Sequence, residues 1–227
     1  MHPLPLVTLV VLVAACAPPV SRPGTAPLPV PEPVGPALIQ SGGPNGESPP
    51  PLRAIPLSAA AVPAVVKDLD RARDMTRLRD RHLLIPVAGV VPERLQDSFT
   101  DARDGGRQHN AIDILAPRNT RILAADDGII LRMSSNVLGG ITIFAADVDR
   151  QFVYYYAHLD HYDPAMYAGR KLVKGETIGY VGTTGDAPKN VPHLHFQIMR
   201  WPDDGKYWVG EPINPYPLLH VGAAERR

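Results

Sequence analysis

The sequence predicts an antiparallel all-β domain that follows one helix and a disordered, proline-rich segment. Downstream of Pro86, apolar and polar residues alternate with a period of two in several short runs. Gly- and Asp-rich turn signals separate these runs, and the absence of long helical patterns between them favours antiparallel strands. Upstream, the apolar period lengthens to three and four residues, and half of the 26 prolines lie within residues 17–57.

The overall composition excludes some classes of protein. Among the 227 residues, 23 Lys and Arg balance 23 Asp and Glu, so there is no basic excess to favour nucleic acid as a partner. The single cysteine, Cys16, excludes an intrachain disulfide. Burial of a core, with or without a metal, must therefore stabilise the domain.

Residues 1–15 are predicted to be a lipoprotein signal peptide. Their apolar run is too short to span a bilayer as a helix and ends in small residues. The tetrapeptide Val13-Ala14-Ala15-Cys16 resembles the lipobox of bacterial lipoproteins, which implies lipidation of Cys16 and a membrane anchor. Because the first residues carry no Lys or Arg, an ordinary cleaved signal with an incidental cysteine remains the alternative. In an envelope with two membranes, Ala17 after the cysteine predicts the periplasmic face of the outer membrane.

Two further segments precede the β domain. Residues 16–57 are rich in Pro, Gly, Ser and Ala and cannot bury enough apolar surface to offset their ordering entropy, so we expect a disordered tether. Residues 58–85 are predicted to contain an amphipathic helix that ends before Pro86. Its apolar face would carry Val65, Leu69, Ala72, Met75 and Leu78. Its polar side would carry the ion pairs Asp68–Arg71, Asp70–Arg73 and Asp74–Arg77.

The β domain is expected over residues 86–219, followed by a tail at 220–227, and its length suffices to enclose one core. The candidate strands are residues 111–115, 121–125, 128–133, 140–146, 151–158, 177–181 and 193–199. Alternation places Phe152, Tyr154 and Tyr156 on one face with His158, where sheet packing is favoured over contact with a substrate.

Two histidine-containing motifs point to chemistry. In an extended strand, His193 and His195 look into the same space because residues two apart share a face. Far upstream, His109 and Asp113 offer an imidazole nitrogen and a carboxylate oxygen, and a bend between them would bring both to one ion. Two His and one carboxylate with an open position is an arrangement that catalytic zinc uses.

The motifs resemble the M23 family of zinc metallopeptidases, the LytM or lysostaphin-type endopeptidases. The resemblance covers the β domain and rests on Gln108 to Ile114 with Ala116-Pro117, Tyr156 to Leu159, Lys174 to Gly182 with Thr184-Gly185, and His193 to Phe196. It implies a groove-bearing antiparallel β fold, one Zn²⁺ per chain, and cleavage of peptide bonds in bacterial peptidoglycan. Ala111 and Asn119 depart from residues common in the family, which affects the expected shape of the groove more than the chemistry.

Carried over position by position, His109, Asp113 and His195 resemble the zinc ligands, and His158 and His193 resemble the two non-ligand histidines. His193, beside His195 on the same strand face, is placed to take a proton from water and pass it to the leaving amine, and His158 would donate to the oxyanion. The two histidines could exchange these duties.

Several alternatives remain open. A non-catalytic relative that activates other cell-wall hydrolases would share the fold. The glycine-rich stretch around Gly175 also resembles biotinyl and lipoyl carrier hairpins, although no lysine stands in the matching setting. Asp126-Asp127-Gly128 is interpreted as a tight turn rather than a calcium loop. His82, His161 and His220 are interpreted as non-catalytic, and Trp201 and Trp208 would line the groove end or cover the core.

Overall fold

The computed structural model describes residues 62–220. The helices are α1 (Val62–Asp80) and α2 (Tyr216–His220). The strands are β1 (Ala102–Arg103), β2 (Arg107–Gln108), β3 (Ile112–Leu115), β4 (Arg121–Leu123), β5 (Gly128–Asn136), β6 (Gly140–Asp147), β7 (Phe152–Tyr162), β8 (Lys171–Leu172), β9 (Thr177–Val181), β10 (His193–Arg200) and β11 (Pro212–Ile213). The predicted signal peptide and tether lie outside the described residues.

The antiparallel all-β prediction is confirmed. The main sheet has the strand order β11-β10-β7-β6-β5-β8, and β3 pairs with β10 while β9 pairs with both β4 and β7. Every strand pair among the described residues is antiparallel. Strands β1 and β2 form a separate two-stranded hairpin ahead of β3.

The core lies on one side of the long strands. Phe152, Tyr154 and Tyr156 alternate along β7 and are buried, as are Phe196 and Ile198 on β10. Their side chains pack together with Ile112 and Ile114 of β3, as alternation along a half-buried strand requires. The prediction that the β7 aromatics serve sheet packing is therefore correct, and the opposite face of the same strands is left for a site.

Seven predicted strands correspond to observed ones, with ends that differ by a few residues. Strand β7 runs four residues further than predicted, to Tyr162. Strands β1, β2, β8 and β11 were not predicted, because each has two residues and too short a pattern to show a period.

Helix α1 is present, but its predicted apolar face is wrong in the N-terminal half. Leu78 is buried and Met75 packs against the core, whereas Val65 is 39% and Leu69 59% exposed. The helix contacts the sheet through charge instead: the buried Asp74 accepts a hydrogen bond of 2.5 Å from Arg200 Nε on β10.

The predicted ion pairs along α1 form only once. Asp70 pairs with Arg73 at 3.1 Å, as predicted. Arg71 pairs with Glu211 at 3.4 Å instead of with Asp68, and Asp74 pairs with Arg200 instead of with Arg77. Contacts with Arg200 of β10 and with Glu211, the residue before β11, thus replace two of the contacts within the helix. No helix within residues 62–220 combines the length and the hydropathy that crossing a membrane demands.

Candidate metal centre

Strand pairing brings Asp113 and His195 together. Strands β3 and β10 are antiparallel neighbours whose register places Asp113 directly opposite His195. Directly opposed residues share a face, so both side chains project to the side of the sheet away from the core. His109 lies before β3, and Asn110, with φ of 57°, makes the bend that returns the chain towards the strand. The predicted bend between His109 and Asp113 is therefore present.

Three ligand-type atoms converge there. His109 Nε2 lies 3.0 Å from Asp113 Oδ1 and 3.0 Å from His195 Nδ1. Asp113 Oδ1 lies 3.3 Å from His195 Nδ1. Among the residues the structure describes, this group of three could hold a metal ion, since its ligand atoms lie within 4.8 Å of one another.

Hydrogen bonding of the rings shows that the group fits a cation. His109 Nδ1 lies 2.8 Å from the carbonyl oxygen of Ser98, which only accepts, so Nδ1 must donate. In neutral His109 the lone pair then lies on Nε2 and faces the Asp113 carboxylate. Electron pairs from two acceptors that point at each other need a cation between them, and nitrogen with carboxylate oxygen is a donor set that zinc accepts.

The charge states of the group suit metal binding. Burial raises the pKa of the Asp113 carboxyl, but the adjacent His109 and His195 lower it by more, and the result is a pKa well below the usual value. Burial lowers the pKa of His195 and so favours the neutral, ligating imidazole. These two shifts favour a negative Asp113 oxygen and a neutral His195 nitrogen, the forms that bind a metal.

His193 reaches the same space from β10. It is buried, and its Nδ1 donates to the carbonyl of Val191 at 2.8 Å. Its Nε2 lies 3.8 Å from Asp113 Oδ1. The ring is therefore held as the tautomer whose Nε2 carries the lone pair, next to the three-residue group.

A β-bulge places His158. Ala157 and His158 of β7 together oppose one residue of β6, and His158 has φ of 62°. This left-handed conformation is uncommon for residues other than glycine, although histidine adopts it more often than most. Through the bulge, both Ala157 and His158 line the cavity of the site.

The sequence alternation put His158 on the same face as Phe152, Tyr154 and Tyr156, and this prediction is wrong because of the bulge.

The ring of His158 is held by a backbone carbonyl. Its Nδ1 donates to the carbonyl of Thr184 at 2.8 Å. Burial lowers the pKa of His158 to about 4, so the ring is neutral at pH 7. Its ring centroid lies 4.9 Å from that of His193 and 5.7 Å from that of His195.

All five predicted site residues line one open cavity of about 420 Å³. The surrounding polar side chains include residues that were not predicted, namely Arg103, Arg107, Tyr155, Asp186 and Gln197. Gln197 lies two residues after His195 on β10, and Tyr155 lies two residues before Ala157 on β7. The strand register pairs Gln197 with Tyr155, as it pairs His195 with Ala157, so strand alternation could have placed both at the site. Arg103 had no such signal.

Comparisons with known proteins relate the region that contains this site to a peptidase family. A family model described as Peptidase family M23 matches residues 107–215. This region is an M23 peptidase family domain. The chain is 31% identical over 139 residues to the L-Ala--D-Glu endopeptidase of Bacillus subtilis, covering 58% of this chain and 40% of that protein. It is 30% identical over 93 residues to the peptidoglycan DD-endopeptidase ShyC of Vibrio cholerae, covering 41% of this chain and 20% of that protein.

Among solved structures, the catalytic domain of the antimicrobial peptidase lysostaphin from Staphylococcus simulans is similar to this chain. The sequences are 27% identical, the similarity covers 50% of this chain and 80% of that one, and the TM-score is 0.42. The chain spans less than half the length of the two curated relatives it matches.

Other candidate residues of the M23 domain have structural surroundings of their own. Asp126 is buried and pairs with Arg81 and Lys174 at 3.2 Å each, so cationic side chains already surround the carboxylate once considered for calcium. The same ion pair engages Lys174, which lies next to Gly175 in the glycine-rich stretch. His161 stacks on Tyr180 with ring centroids 4.4 Å apart.

The two tryptophans behave differently from each other. Trp201 is partly buried, with its ring centroid 6.1 Å from that of Tyr207, whereas Trp208 is 51% exposed. Neither is among the described residues that line the cavity. Trp201 follows the end of β10, and Trp208 lies in a single 3-10 turn between β10 and β11.

Proposed function

We propose that the M23 domain is a zinc-dependent endopeptidase that hydrolyses peptide bonds in peptidoglycan stem peptides or cross-links. The convergence of His109, Asp113 and His195 within a region that matches Peptidase family M23 supports this proposal most directly. The two curated relatives, whose names describe cleavage between L-Ala and D-Glu and a peptidoglycan DD-endopeptidase, support the substrate class.

In this proposal, His109 holds the ion through Nε2, Asp113 through Oδ1 and His195 through Nδ1. These are the atoms that face one another at 3.0 to 3.3 Å. Zinc bound there would supply a Lewis acid that polarises a carbonyl and acidifies water. Ser98 supports two of the ligands, because its carbonyl accepts from His109 and its hydroxyl oxygen accepts from the backbone N–H of Asp113 at 3.2 Å.

His193 is proposed to take the proton of the attacking water and return it to the leaving amine. Its Nε2 carries a lone pair because Nδ1 donates to Val191. The carboxylate of Asp113, 3.8 Å away, would stabilise the positive charge that the ring gains with the proton. His193 therefore combines an available acceptor with a neighbour that favours its protonated form.

His158 is proposed to contact the reacting carbonyl group from the other side of the cavity. In the free protein its Nε2 is an acceptor, because Nδ1 donates to Thr184 and burial keeps the ring neutral. It can donate to an oxyanion only as the protonated ring, and the attacking water supplies that proton: one of its two protons would pass through His193 to the leaving amine and the second would go to His158. Both rings present Nε2 as an acceptor, and the position of His193 beside Asp113 Oδ1 favours it for the first proton.

Digestion of purified peptidoglycan tests the activity. We expect the purified chain to release peptide fragments, identified by mass spectrometry, to lose this activity with a chelator and to regain it with added zinc. A matched His193→Ala protein should release fragments at least about a hundredfold more slowly. If the wild-type chain cleaves nothing but increases cleavage by a second wall hydrolase, the domain is instead a non-catalytic activator.

We further propose that the chain is exported and anchored to a membrane by a lipid on Cys16, with residues 16–57 as a tether. The sequence Val13-Ala14-Ala15-Cys16 supports this proposal. In bacterial cells that receive a labelled fatty acid, the wild-type chain should incorporate label and fractionate with membranes. Cys16→Ser should do neither, and label on both proteins would contradict the anchor.

A further inference from the structure

Arg103 contacts one of the proposed metal ligands from outside the three-residue group. It is the last residue of β1, and its guanidinium Nη2 donates to Asp113 Oδ2. The other oxygen of the same carboxylate, Oδ1, faces His109 and His195. The two oxygens of Asp113 therefore have different partners.

The hairpin holds Arg103 in this position. Strands β1 and β2 pair Ala102 with Gln108 and Arg103 with Arg107. The turn between them contains Gly105 and Gly106, with φ of 74° and 73°, values that glycine adopts without steric cost. His109 follows β2 directly, and its backbone N–H donates to the carbonyl of Asp101 at 2.9 Å. Arg103 and His109 are thus parts of one short, closed segment.

The contact differs from an ordinary surface ion pair. Exposed pairs stabilise a protein little because water screens them and both side chains must be ordered. Here the side chain of Asp113 is 21% exposed and that of Arg103 38% exposed. Both residues line the cavity, so the pair lies at the site and bears directly on a ligand.

We propose that Arg103 is a positioning residue that keeps Asp113 a one-oxygen ligand of the metal. By occupying Oδ2, the guanidinium prevents this oxygen from turning to the ion, and it fixes the direction of Oδ1. Three protein atoms would then hold the ion, which would leave a position for water and substrate, as catalytic zinc requires. The inference rests on the proposed zinc site.

Two variants of Arg103 separate positioning from charge. Arg103→Lys keeps a positive charge and one donor, whereas Arg103→Met removes both and retains a long side chain. Loss of the guanidinium also removes repulsion from the ion, which on its own would tighten binding. We expect positioning to dominate, so zinc affinity should fall about tenfold or more in Arg103→Met and less in Arg103→Lys.

The measurement is zinc affinity of the full chain by competition with a chromogenic chelator, and the visible spectrum of the Co²⁺-loaded protein. Five-coordinate Co²⁺ absorbs more weakly than four-coordinate Co²⁺, so Arg103→Met should weaken the visible bands if Oδ2 joins the ion. The matched control is Arg118→Met, which breaks an Arg–Asp pair with Asp160. Neither of those residues is among the described ones that line the cavity.

The outcomes distinguish this inference from the proposed function. Equal or tighter zinc binding by Arg103→Met, with an unchanged cobalt spectrum, overturns the role of Arg103 while the zinc site stands. An equal loss in Arg118→Met also overturns it, because the effect would not belong to the site. If the wild-type chain binds neither ion, the proposed function itself fails.

Discussion

The two histidines of the His-Leu-His motif, His193 and His195, differ in which ring nitrogen faces the site. His193 uses Nδ1 to bind the Val191 carbonyl and presents Nε2, whereas His195 presents Nδ1 to Asp113. Their shared face was predictable from the period of a strand, but the choice of nitrogen depends on side-chain rotation and on local carbonyl groups. This choice separates a proposed base from a proposed ligand.

Replacement of His193 by alanine tests that separation. We expect turnover on peptidoglycan to fall at least a hundredfold, because a positioned acid–base group contributes about 10²–10⁴ in rate. Zinc content, measured by atomic emission, should stay at the wild-type value. Release of zinc by His193→Ala would show that His193 is a ligand.

Replacement of a proposed ligand, unlike that of His193, should lower the zinc content together with the turnover. His109→Ala, which removes the Nε2 atom that lies 3.0 Å from both other ligand atoms, should lose zinc and activity together. Asp113→Asn keeps the shape of the side chain but removes its negative charge, so it should weaken zinc binding as well. Full zinc occupancy in both variants, measured by the same atomic emission assay, would contradict the ligand set.

At the scale of single residues, the sequence pointed to the residues that form recognisable motifs. The motifs pointed to five residues that all line the cavity, namely His109, Asp113, His158, His193 and His195, and their roles stay predictions. Arg103 was missed because a lone arginine in a polar loop has no periodic or spacing signal. Its contact with Asp113 depends on how the short hairpin folds back, which the sequence does not display.

At the scale of elements, the bulge in β7 accounts for the error in strand alternation. The periodicity argument assumes that every residue advances the strand by one step, and the bulge at Ala157 and His158 breaks this rule. Tyr155 rather than Tyr154 or Tyr156 therefore lies beside the site, with its ring centroid 6.0 Å from that of His195. A bulge adds no distinctive residue pattern, so periodicity alone could not reveal it.

The hydroxyl of Thr184 stabilises this bulge. It donates to the carbonyl of Leu159 at 2.6 Å and accepts from the backbone N–H of Ile141 at 2.9 Å. Thr184→Val keeps the shape but leaves these backbone groups unpaired, so we expect a loss of about 1–3 kcal/mol in the free energy of unfolding. The measurement is urea denaturation followed by circular dichroism.

The control for that experiment is Thr120→Val, which removes one hydrogen bond, to the carbonyl of Pro117, from an exposed turn. We expect a smaller loss there, because water can replace the contact. Since the Thr184 carbonyl also holds His158, turnover by Thr184→Val should fall with zinc content unchanged. Equal stability losses in the two variants would argue against a special role for Thr184.

For the molecule as a whole, the proposed ion would join parts of the chain that are far apart in sequence. His109 and His195 are 86 positions apart, yet their facing nitrogens are 3.0 Å apart. A ligand that binds only the folded state stabilises it by mass action, by about 4 kcal/mol when its concentration is a thousand times Kd. The proposed zinc site should therefore affect global stability as well as catalysis.

Thermal unfolding with and without metal measures this coupling. For a domain of this size, about 4 kcal/mol corresponds to a rise in Tm of roughly 8–16 °C on saturation with zinc. His193→Ala should show the same rise, since it keeps the proposed ligands, whereas His109→Ala should show little of it. If zinc raised the Tm of His109→Ala as much as that of the wild type, the ion would bind elsewhere on the chain, and the three converging side chains would not be its site.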